Sequence, residues 1–288
     1  MPSRIEFSKW QGLGNDYVII AVPNLDFTLG PAQARMICDR HLGIGADGVL
    51  LWSGSAADAF QLEIFNPDGS RAEMCGNGIR MLARHLHQTG RTDSAEMLVE
   101  TEAGPIRPRV REDGLVEVNM GRARLGGDGI AGFDGEPGGG EAVGQKLEAG
   151  GSEFEYTFVS MGNPHCVIEA GEPGEVELDK LGPVIERHEL FPNRTNVEFI
   201  KVTGPREVEM RVWERGVGET SACGTGACAV AVAAYRTRGT ESPMTVRLPG
   251  GELEVAVSPE MEVTMTGPAE EVYNGTMSEA FAKLIREL

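Results

Sequence analysis

Two cysteines of this sequence stand in matching tetrapeptides, Cys75-Gly76-Asn77-Gly78 and Cys223-Gly224-Thr225-Gly226. Two further segments match in the same way and are each followed by apolar residues, Gly14-Asn15-Asp16-Tyr17 and Gly162-Asn163-Pro164-His165. Both pairs are separated by 148 residues. Chance matches of two short motifs would rarely share one separation, so the sequence predicts an internal duplication with one such cysteine in each half.

Both cysteines come directly before a predicted helix. After Cys75 the apolar residues recur with the spacing of an amphipathic helix, and after Cys223 the run ACAVAVAAY is apolar on every side. A cysteine at a helix N-terminus faces unpaired backbone N–H groups and the positive end of the helix dipole, which stabilise a thiolate. We therefore expect Cys75 and Cys223 to be reactive thiols, whereas Cys38, Cys166 and Cys228 are interpreted as core residues.

Two thiols in this setting suit one kind of reaction. The same N–H groups can bind a carboxylate, and the glycines allow it to approach the backbone closely. If two pseudo-symmetric halves face one cleft, an amino-acid carboxylate held there has one sulfur on each face of its α-carbon. One thiolate can then remove the α-proton while the opposite thiol delivers a proton to the other face. The pattern indicates racemisation or epimerisation, with the helix ends stabilising the developing carbanion.

Length and composition limit the class of protein. The chain has 288 residues, enough for two domains, and its 41% hydrophobic and 24% charged residues are typical of a folded protein. A formal net charge of -18 repels phosphate backbones and anionic headgroups, so we expect no nucleic acid and no membrane as partner. The first residues lack the apolar core of a signal peptide, which favours a cytoplasmic location. Five scattered cysteines without a CxxC pair favour neither disulfides nor a metal site.

No cofactor motif is supported by its context. The segment 43–48, GIGADG, matches a dinucleotide fingerprint but is followed by the strand-like VLLW instead of a helix, so we interpret it as a turn. The sequence contains no phosphate-binding loop of the G-x-x-x-x-G-K-[ST] type. Its five lysines stand in no evident cofactor-anchoring context, which weakens a pyridoxal phosphate interpretation. We therefore expect an enzyme without a cofactor.

The remaining sequence predicts many short strands. The segments with strand character are IEFSKW, YVIIAV, GVLLW, FQLEIF, MLVETE, LVEVNM, YTFVSM, CVIEA, NVEFIKV, EVEMRVWE, MTVRLP, ELEVAV and MEVTMT. The predicted fold class is α+β, with two pseudo-symmetric β-rich domains that each hold a central buried helix, and an active site in the cleft between them.

We place the N-terminal domain at 1–120 and the C-terminal domain at 121–275, and we expect the segment 276–288 to pack back on the N-terminal domain. Near 126–151 the chain is rich in glycine and poor in large apolar residues. This composition predicts an insertion with little regular structure, either a solvent loop or a hairpin.

Six blocks of the sequence, in order and spanning nearly the whole chain, resemble the diaminopimelate epimerase family. They run from Gly12 to Tyr17, Cys38 to Gly48, Phe65 to Arg80, Met161 to His165, Asn193 to Val197 and Trp213 to Gly226. The two CGxG motifs alone would equally suit the related proline racemases. The resemblance implies a cofactor-independent enzyme that interconverts LL- and meso-diaminopimelate in lysine and peptidoglycan precursor synthesis. It also implies two similar domains that close on the substrate, and a homodimer.

The resemblance further assigns roles to individual residues. Cys75 and Cys223 would be the two acid/base residues, with His165 and Glu214 beside them and Glu214 also contacting the substrate. Donors to the reacting carboxylate would come from Gly76, Asn77, Gly224 and Thr225. Asn15 would place the amine, and the distal centre would be recognised by Asn66, Asn163, Asn196 and Arg215. The guanidinium of Arg215 suits this role because it can bind a carboxylate through two hydrogen bonds.

Three other interpretations remain open. A proline or hydroxyproline racemase would use the same thiols without needing Arg215 and the asparagines. A non-catalytic amino-acid binding protein would use the cysteines for packing and would not exchange the α-hydrogen. A thiol redox sensor is a further alternative, because two converging sulfurs could form a disulfide when no ligand is bound.

Overall fold

The computed structural model of the protein describes residues 4–54, 59–127, 129–131 and 140–288. By its internal contacts the chain divides into two units. The first comprises the residues up to Val118 together with Gly267–Leu288, and the second comprises Asn119–Thr266. The chain thus returns to the first unit at Gly267, earlier than the expected position 276.

Short strands dominate both units. Those of the first 122 residues are β1 (Glu6–Gly12), β2 (Asn15–Ala21), β3 (Val49–Gly54), β4 (Ala59–Phe65), β5 (Arg71–Ala72), β6 (Leu98–Thr101), β7 (Gly104–Ile106), β8 (Arg109–Val110) and β9 (Val116–Arg122). The later ones are β10 (Gln145–Ala149), β11 (Ser152–Ser160), β12 (Pro164–Glu169), β13 (Asn196–Gly204), β14 (Glu207–Glu214), β15 (Gly218–Thr220), β16 (Met244–Leu248), β17 (Gly251–Val257), β18 (Glu262–Gly267) and β19 (Glu270–Thr276). All the segments with predicted strand character contain a strand, which confirms the β-rich fold class.

The helices are α1 (Pro31–Cys38), α2 (Gly76–Gln88), α3 (Leu178–Glu186), α4 (Gly224–Arg238) and α5 (Glu279–Glu287). The two helices predicted after the CGxG motifs are confirmed: Cys75 is the N-cap of α2 and Cys223 is the N-cap of α4. Within the described ranges, no helix combines the length and the apolar character needed to cross a bilayer.

Each unit is built on a mixed sheet. The order of the first is β19-β1-β2-β3-β4-β6-β7, with β5 beside β4. The order of the second is β10-β11-β12-β13-β14-β16-β17-β18-β9-β8, with β15 beside β14. In the first sheet β2/β3 and β4/β6 are parallel, and in the second β12/β13 and β14/β16 are parallel.

The predicted duplication extends to strand register. In the first sheet Val18 pairs with Val49, and in the second Cys166 pairs with Val197, so both partners are shifted by 148 residues. The turns that precede β2 and β12 also match, because Gly14 and Gly162 adopt φ values of 84° and 94°, a region that strongly favours glycine. The pseudo-symmetry of the two units is therefore confirmed at the level of hydrogen-bond register.

Both central sheets are covered on two faces. In the first unit, alternate residues of β2 such as Val18 and Ile20 pack with α1 and α5 in one apolar cluster. The intervening residues, including Tyr17 and Ile19, point to the opposite face and are also buried. The α2 helix contacts β1 and β2.

The second unit repeats this arrangement around α4. Its segment from Gly226 to Ala234 is fully buried, as the apolar sequence predicted, and the helix contacts six strands, β11, β12, β13, β14, β16 and β17. Alanine at many positions allows strands to approach the helix from several sides. On the other face of the sheet, α3 packs in a second apolar cluster through Leu178 and Ile185.

The C-terminal segment docks on the first unit. Strand β19 pairs with β1, and the amide of Met277 donates to the carbonyl of Ile5 at 2.9 Å. Ser278 caps α5, whose Ile285 is completely buried. An ion pair between Arg286 and Asp26 at 2.8 Å lies beside it.

Part of the glycine-rich segment can be described. Asp128 and residues 132–139 lie outside the described residues. On either side of them, Ile130 and Ala142 are buried in the second apolar cluster. At its end β10 forms an antiparallel hairpin with β11, one of the two expected forms, and its alternate apolar residues Leu147 and Ala149 are buried.

Candidate active site

Cys75 lies at the N-terminus of α2 and is partly exposed. Two donors are directed at its sulfur: the backbone N–H of Gly78 at 3.4 Å and the hydroxyl of Tyr17 at 3.6 Å. Burial of Tyr17, together with the charge of the neighbouring Cys75, raises its pKa well above 10, so its hydroxyl keeps its proton at neutral pH.

Asn15 and Asn77 lie together beside Cys75. The amide of Asn77 donates to Asn15 Oδ1 at 3.2 Å, and the amide of Asn15 donates to Asp47 Oδ2 at 3.1 Å. The buried guanidinium of Arg80 donates to Asn77 Oδ1 at 2.9 Å and to the carbonyl of Pro268 at 3.3 Å. The two asparagine side chains are therefore held in defined orientations.

A charged network supports the turn that carries Asn15. Arg40 bridges Asp16 and Asp47 at 2.7 Å to each, and Lys9 pairs with Asp16. Burial by itself raises the pKa of Asp16, but the hydrogen bonds from Arg40 and Lys9 outweigh it and lower that pKa to about 2. Asp16 therefore stays ionised at neutral pH.

Cys223 has an equivalent position in the second unit. The backbone N–H of Gly226 donates to its sulfur at 3.4 Å, and the hydroxyl of Thr225 lies 3.6 Å from the same atom. Burial raises the pKa of Cys223 well above 9, and the negative charges of Glu214 and Glu198 raise it further. The helix end favours the thiolate of Cys223 through the Gly226 N–H, but burial and two carboxylates outweigh this hydrogen bond and that of Thr225, so the pKa is raised.

A chain of hydrogen bonds leads from Cys223 to a fully buried pair. Asn163 donates to Thr225 Oγ1 at 3.2 Å, and Asn163 Oδ1 lies 3.0 Å from His165 Nε2. The other ring nitrogen, Nδ1, lies 2.6 Å from Glu198 Oε1, and neither side chain of this pair is exposed. Both ring nitrogens thus lie within hydrogen-bond distance of side-chain oxygens.

Glu214 lies at the end of β14 and is held by Thr220, whose hydroxyl donates to Glu214 Oε1 at 2.5 Å. Burial raises the pKa of Glu214, while hydrogen bonds with Thr220 and Cys223 partly offset this shift. Glu214 is therefore a buried carboxyl of raised pKa that contacts the thiol of Cys223.

Asn196 and Arg215 lie together in the same unit. The buried amide of Asn196 donates to the carbonyl of Pro164 at 2.9 Å, and its Oδ1 accepts from the backbone N–H of Arg215 at 2.9 Å. The guanidinium of Arg215 donates to the carbonyl of Asn193 at 3.1 Å. Asn196 therefore connects two segments of the backbone.

A cavity of about 610 Å³ opens beside Arg215. Its lining within the second unit includes the guanidinium-bearing residues Arg124, Arg194 and Arg215. In a chain with a net charge of -18, three arginines on one cavity favour an anionic ligand there.

The structure therefore places the predicted residues in three groups. The first group, around Cys75, contains Asn15 and Asn77. The second group, around Cys223, contains Asn163, His165, Thr225 and Glu214. The third group is at the cavity, which Arg215 lines and Asn196 supports. Gly76 and Gly224 are the first residues of α2 and α4, where a backbone N–H has no partner within its helix. Asn66 stands apart in the turn after β4, where its amide donates to Ser70 Oγ at 2.9 Å.

Sequence reasoning missed Asp47, Arg80 and Thr220, described above, and three further residues near these groups. Glu198 carries the weak signal of a charged side chain inside the apolar run NVEFIKV. Tyr17 stands at the position equivalent to His165, which is a second weak signal. Glu186 has no local signal, yet its buried carboxylate accepts hydrogen bonds from Trp213 and Gly216. Among the described residues, no group of three or more His, Cys, Asp and Glu side chains could hold a metal ion.

Solved structures share the fold of this chain. A probable proline racemase from Agrobacterium radiobacter is 16% identical, with a TM-score of 0.66 and coverage of 96% of this chain and 93% of that one. A PhzF-family phenazine biosynthesis protein from Bacillus anthracis is 17% identical, with a TM-score of 0.68 and coverage of 96% and 99%. The chain therefore has the two-unit fold that these proteins share.

Sequence comparison identifies the family within this fold. The model of the diaminopimelate epimerase family matches residues 7–126 and 157–272. Curated diaminopimelate epimerases from Synechococcus sp. (strain JA-3-3Ab) and Desulforudis audaxviator are 48% and 49% identical, covering 97% and 94% of this chain and 100% and 98% of their own lengths. The chain belongs to the diaminopimelate epimerase family and is an isomerase, as the six sequence blocks indicated.

Proposed function

We propose that the protein interconverts LL- and meso-diaminopimelate by a two-base reaction of Cys75 and Cys223 without a cofactor. The observation that carries this proposal is the repeated geometry of the thiols. Each caps a helix, and each sulfur accepts one backbone N–H at 3.4 Å and lies 3.6 Å from one hydroxyl oxygen. Family membership supports the substrate.

In the proposed reaction one cysteine, as thiolate, takes the α-proton and becomes a thiol. The opposite cysteine donates its proton to the other face of the carbanion and becomes the thiolate. No atom is gained or lost, and the two cysteines exchange protonation states in each turnover. This step requires that both sulfurs reach opposite faces of one α-carbon.

The surrounding residues would bind and orient the reacting centre. The N–H groups at Gly76, Asn77, Gly224 and Thr225 would receive its carboxylate, because helix N-termini present unpaired donors. Asn15 would bind its amine. His165 and Glu214 would adjust the protonation of Cys223, since both belong to its hydrogen-bonded surroundings.

Recognition of the distal carboxylate distinguishes this substrate from proline. We assign it to Arg215, with Asn66, Asn163 and Asn196 as further contacts or supports, because the arginine-lined cavity lies beside Arg215. A bidentate guanidinium–carboxylate pair is strong and directional. Proline and hydroxyproline have no second carboxylate to offer the guanidinium of Arg215.

We also propose a cytoplasmic homodimer. Strand β19 is the terminal strand of its sheet path, and its side chains Val272 and Tyr273 are 55% and 44% exposed. An exposed edge strand with apolar side chains is suited to pairing with a second copy. Sedimentation of the purified chain would show a mass near twice 30.9 kDa if this is correct.

Proton NMR of the purified, reduced protein in D2O tests the reaction. With LL-diaminopimelate we expect loss of the α-proton signal and appearance of meso product that carries solvent deuterium. L-Proline and trans-4-hydroxy-L-proline, measured in parallel, should keep their α-protons. Exchange with the proline compounds alone would favour a racemase, and exchange with none of the three would favour a binding protein.

A further inference from the structure

The hydroxyl of Tyr17 is directed at the reacting sulfur of the first unit. It donates to Cys75 Sγ at 3.6 Å, and the side chain is 5% exposed. Because the donor and the acceptor are 58 residues apart in sequence, the contact depends on how β2 packs against the start of α2.

Gly48 fixes the position of the tyrosine ring. A Cβ on Gly48 would lie 2.3 Å from Tyr17 Cε1 and 2.6 Å from the carbonyl oxygen of Phe65, so a side chain at 48 is excluded by both. The carbonyl of Gly48 accepts from the amide of Val18 at 3.0 Å, which holds the two strands together at this point. The ring therefore fills space that the glycine leaves open.

In the second unit a different residue places a hydroxyl beside the sulfur. His165 stands at the position equivalent to Tyr17, and the hydroxyl near Cys223 belongs to Thr225, at 3.6 Å. The position equivalent to Thr225 is Asn77, which has no hydroxyl. The two repeats differ at both equivalent positions, 17/165 and 77/225, yet each places one hydroxyl beside its sulfur. This agreement favours a role for the hydroxyl in the chemistry of the thiol.

We propose that Tyr17 is a positioning residue for Cys75, whose hydroxyl donates to the sulfur and favours its thiolate form. The acidic groups that act on Tyr17 are Cys75 itself, Asp47 and Cys38, and the N-terminus of α2 faces the same sulfur. Burial raises the pKa of this phenol most and the acidic groups add to the shift, so it remains a donor throughout the neutral range. The catalytic meaning of this inference rests on the proposed function, but its first test does not require turnover.

The test is the variant Tyr17→Phe, which removes the hydroxyl and keeps the ring. Alkylation by iodoacetamide is measured at each cysteine by mass spectrometry from pH 6 to 10. We expect the rate at Cys75 near pH 7 to fall about three- to tenfold and its pH midpoint to move upward, with the rate at Cys223 unchanged. The matched control, Tyr156→Phe, removes a buried hydroxyl from the second unit and should leave Cys75 unchanged.

An unchanged pH profile of Cys75 in Tyr17→Phe would overturn the inference, as would an equal shift in Tyr156→Phe. A second measurement uses α-proton exchange of LL-diaminopimelate. The acidic limb of the kcat profile should move to higher pH while KM stays constant, which a merely structural role would not produce. If the unmodified protein exchanges nothing, the proposed function fails, and the alkylation profile still decides the role of Tyr17.

Discussion

Leu50 and Glu198 occupy equivalent positions in the two units, 148 residues apart, and each lies against the glycine that donates to the thiol of its unit. A Cβ on Gly78 would lie 3.0 Å from Leu50 Cδ2, and one on Gly226 would lie 2.9 Å from Glu198 Oε1. The duplicated scaffold therefore gives one thiol an apolar neighbour and the other a buried carboxylate.

This difference makes the two thiols chemically unequal. Glu198 is one of the groups that raise the pKa of Cys223, after burial and the charge of Glu214. Burial and these two carboxylates therefore favour the thiol form of Cys223, the form that donates a proton in the proposed reaction.

Replacement of either thiol should abolish inversion. We expect Cys75→Ala and Cys223→Ala each to lower the rate of epimerisation by at least about 10³-fold, because the reaction then lacks one of its two proton carriers. Circular dichroism should show an intact fold, since each cysteine is an N-cap with a small side chain. Cys38→Ala is the matched control and should keep most of the activity. Full activity in either active-site variant would contradict the two-base proposal.

The Glu198 and His165 pair should contribute to stability. Both side chains are completely buried, so Glu198→Gln leaves a desolvated histidine facing a neutral amide. We expect the free energy of unfolding to fall by about 3 kcal/mol, the usual result of removing one partner of a buried pair. Urea unfolding measures this, with the exposed Glu148→Gln expected to change it by less than about 0.5 kcal/mol. Equal stability of the two variants would show that the pair is not ionic.

Glu186 should control the turn that carries Arg215. Its carboxylate accepts from Trp213 Nε1 at 2.8 Å and from the backbone N–H of Gly216 at 3.0 Å, and it pairs with Arg194 at 3.4 Å. In Glu186→Gln one carboxylate oxygen is replaced by an NH₂ group, which is itself a donor and cannot accept from Trp213, Gly216 or Arg194.

We expect KM for diaminopimelate to rise about five- to tenfold in Glu186→Gln, with a smaller change in kcat. The exposed Glu189→Gln is the control and should behave as the unmodified protein does. L-Lysine, which lacks the second carboxylate, serves as the comparison substrate. If the variant loses activity toward both compounds in equal proportion, Glu186 has a general structural role instead.

His85 should make the protein sensitive to acid. It is buried against Trp10 and Trp52, with ring centroids 5.8 and 6.1 Å away, and burial together with the charge of Arg91 lowers its pKa from 6.5 to about 4. Because the unfolded chain binds this proton at higher pH than the folded one, stability is complete above about pH 6.5 and is lost as the pH falls toward 4. Below about pH 4 His85 is protonated in the folded protein as well, so the free energy of unfolding no longer falls on account of this group.

The lowered pKa of His85 corresponds to a loss of about 3 kcal/mol in the free energy of unfolding between about pH 6.5 and pH 4. We expect His85→Phe to remove that part of the pH dependence, as measured by denaturant unfolding at pH 7.5 and pH 4.5. The exposed His41→Phe should retain it. Parallel pH profiles of the unmodified protein and His85→Phe would show that other groups cause the acid sensitivity.

Much of the scaffold could be predicted from the sequence because the relevant signals are local. A cap such as Cys75 contacts the N–H of Gly78, three residues away, and helical periodicity follows immediately. The strands missed by sequence reasoning are of three kinds. Strands β5, β7, β8 and β15 have only two or three residues, too few for periodicity. Strand β10 lies within the glycine-rich segment, and β19 is an exposed, charged edge whose pairing with β1 joins the two ends of the chain.

By itself the sequence determined that there are two halves, that each has one cysteine at a helix start, and which family the chain belongs to. Only the tertiary structure decided what surrounds each sulfur. Strands β2 and β13 are buried on both faces, so no alternation of polar and apolar residues shows that Tyr17 and Glu198 face the thiols. That choice depends on the register between strands far apart in sequence, because a slip of one residue would turn each of these side chains to the opposite face.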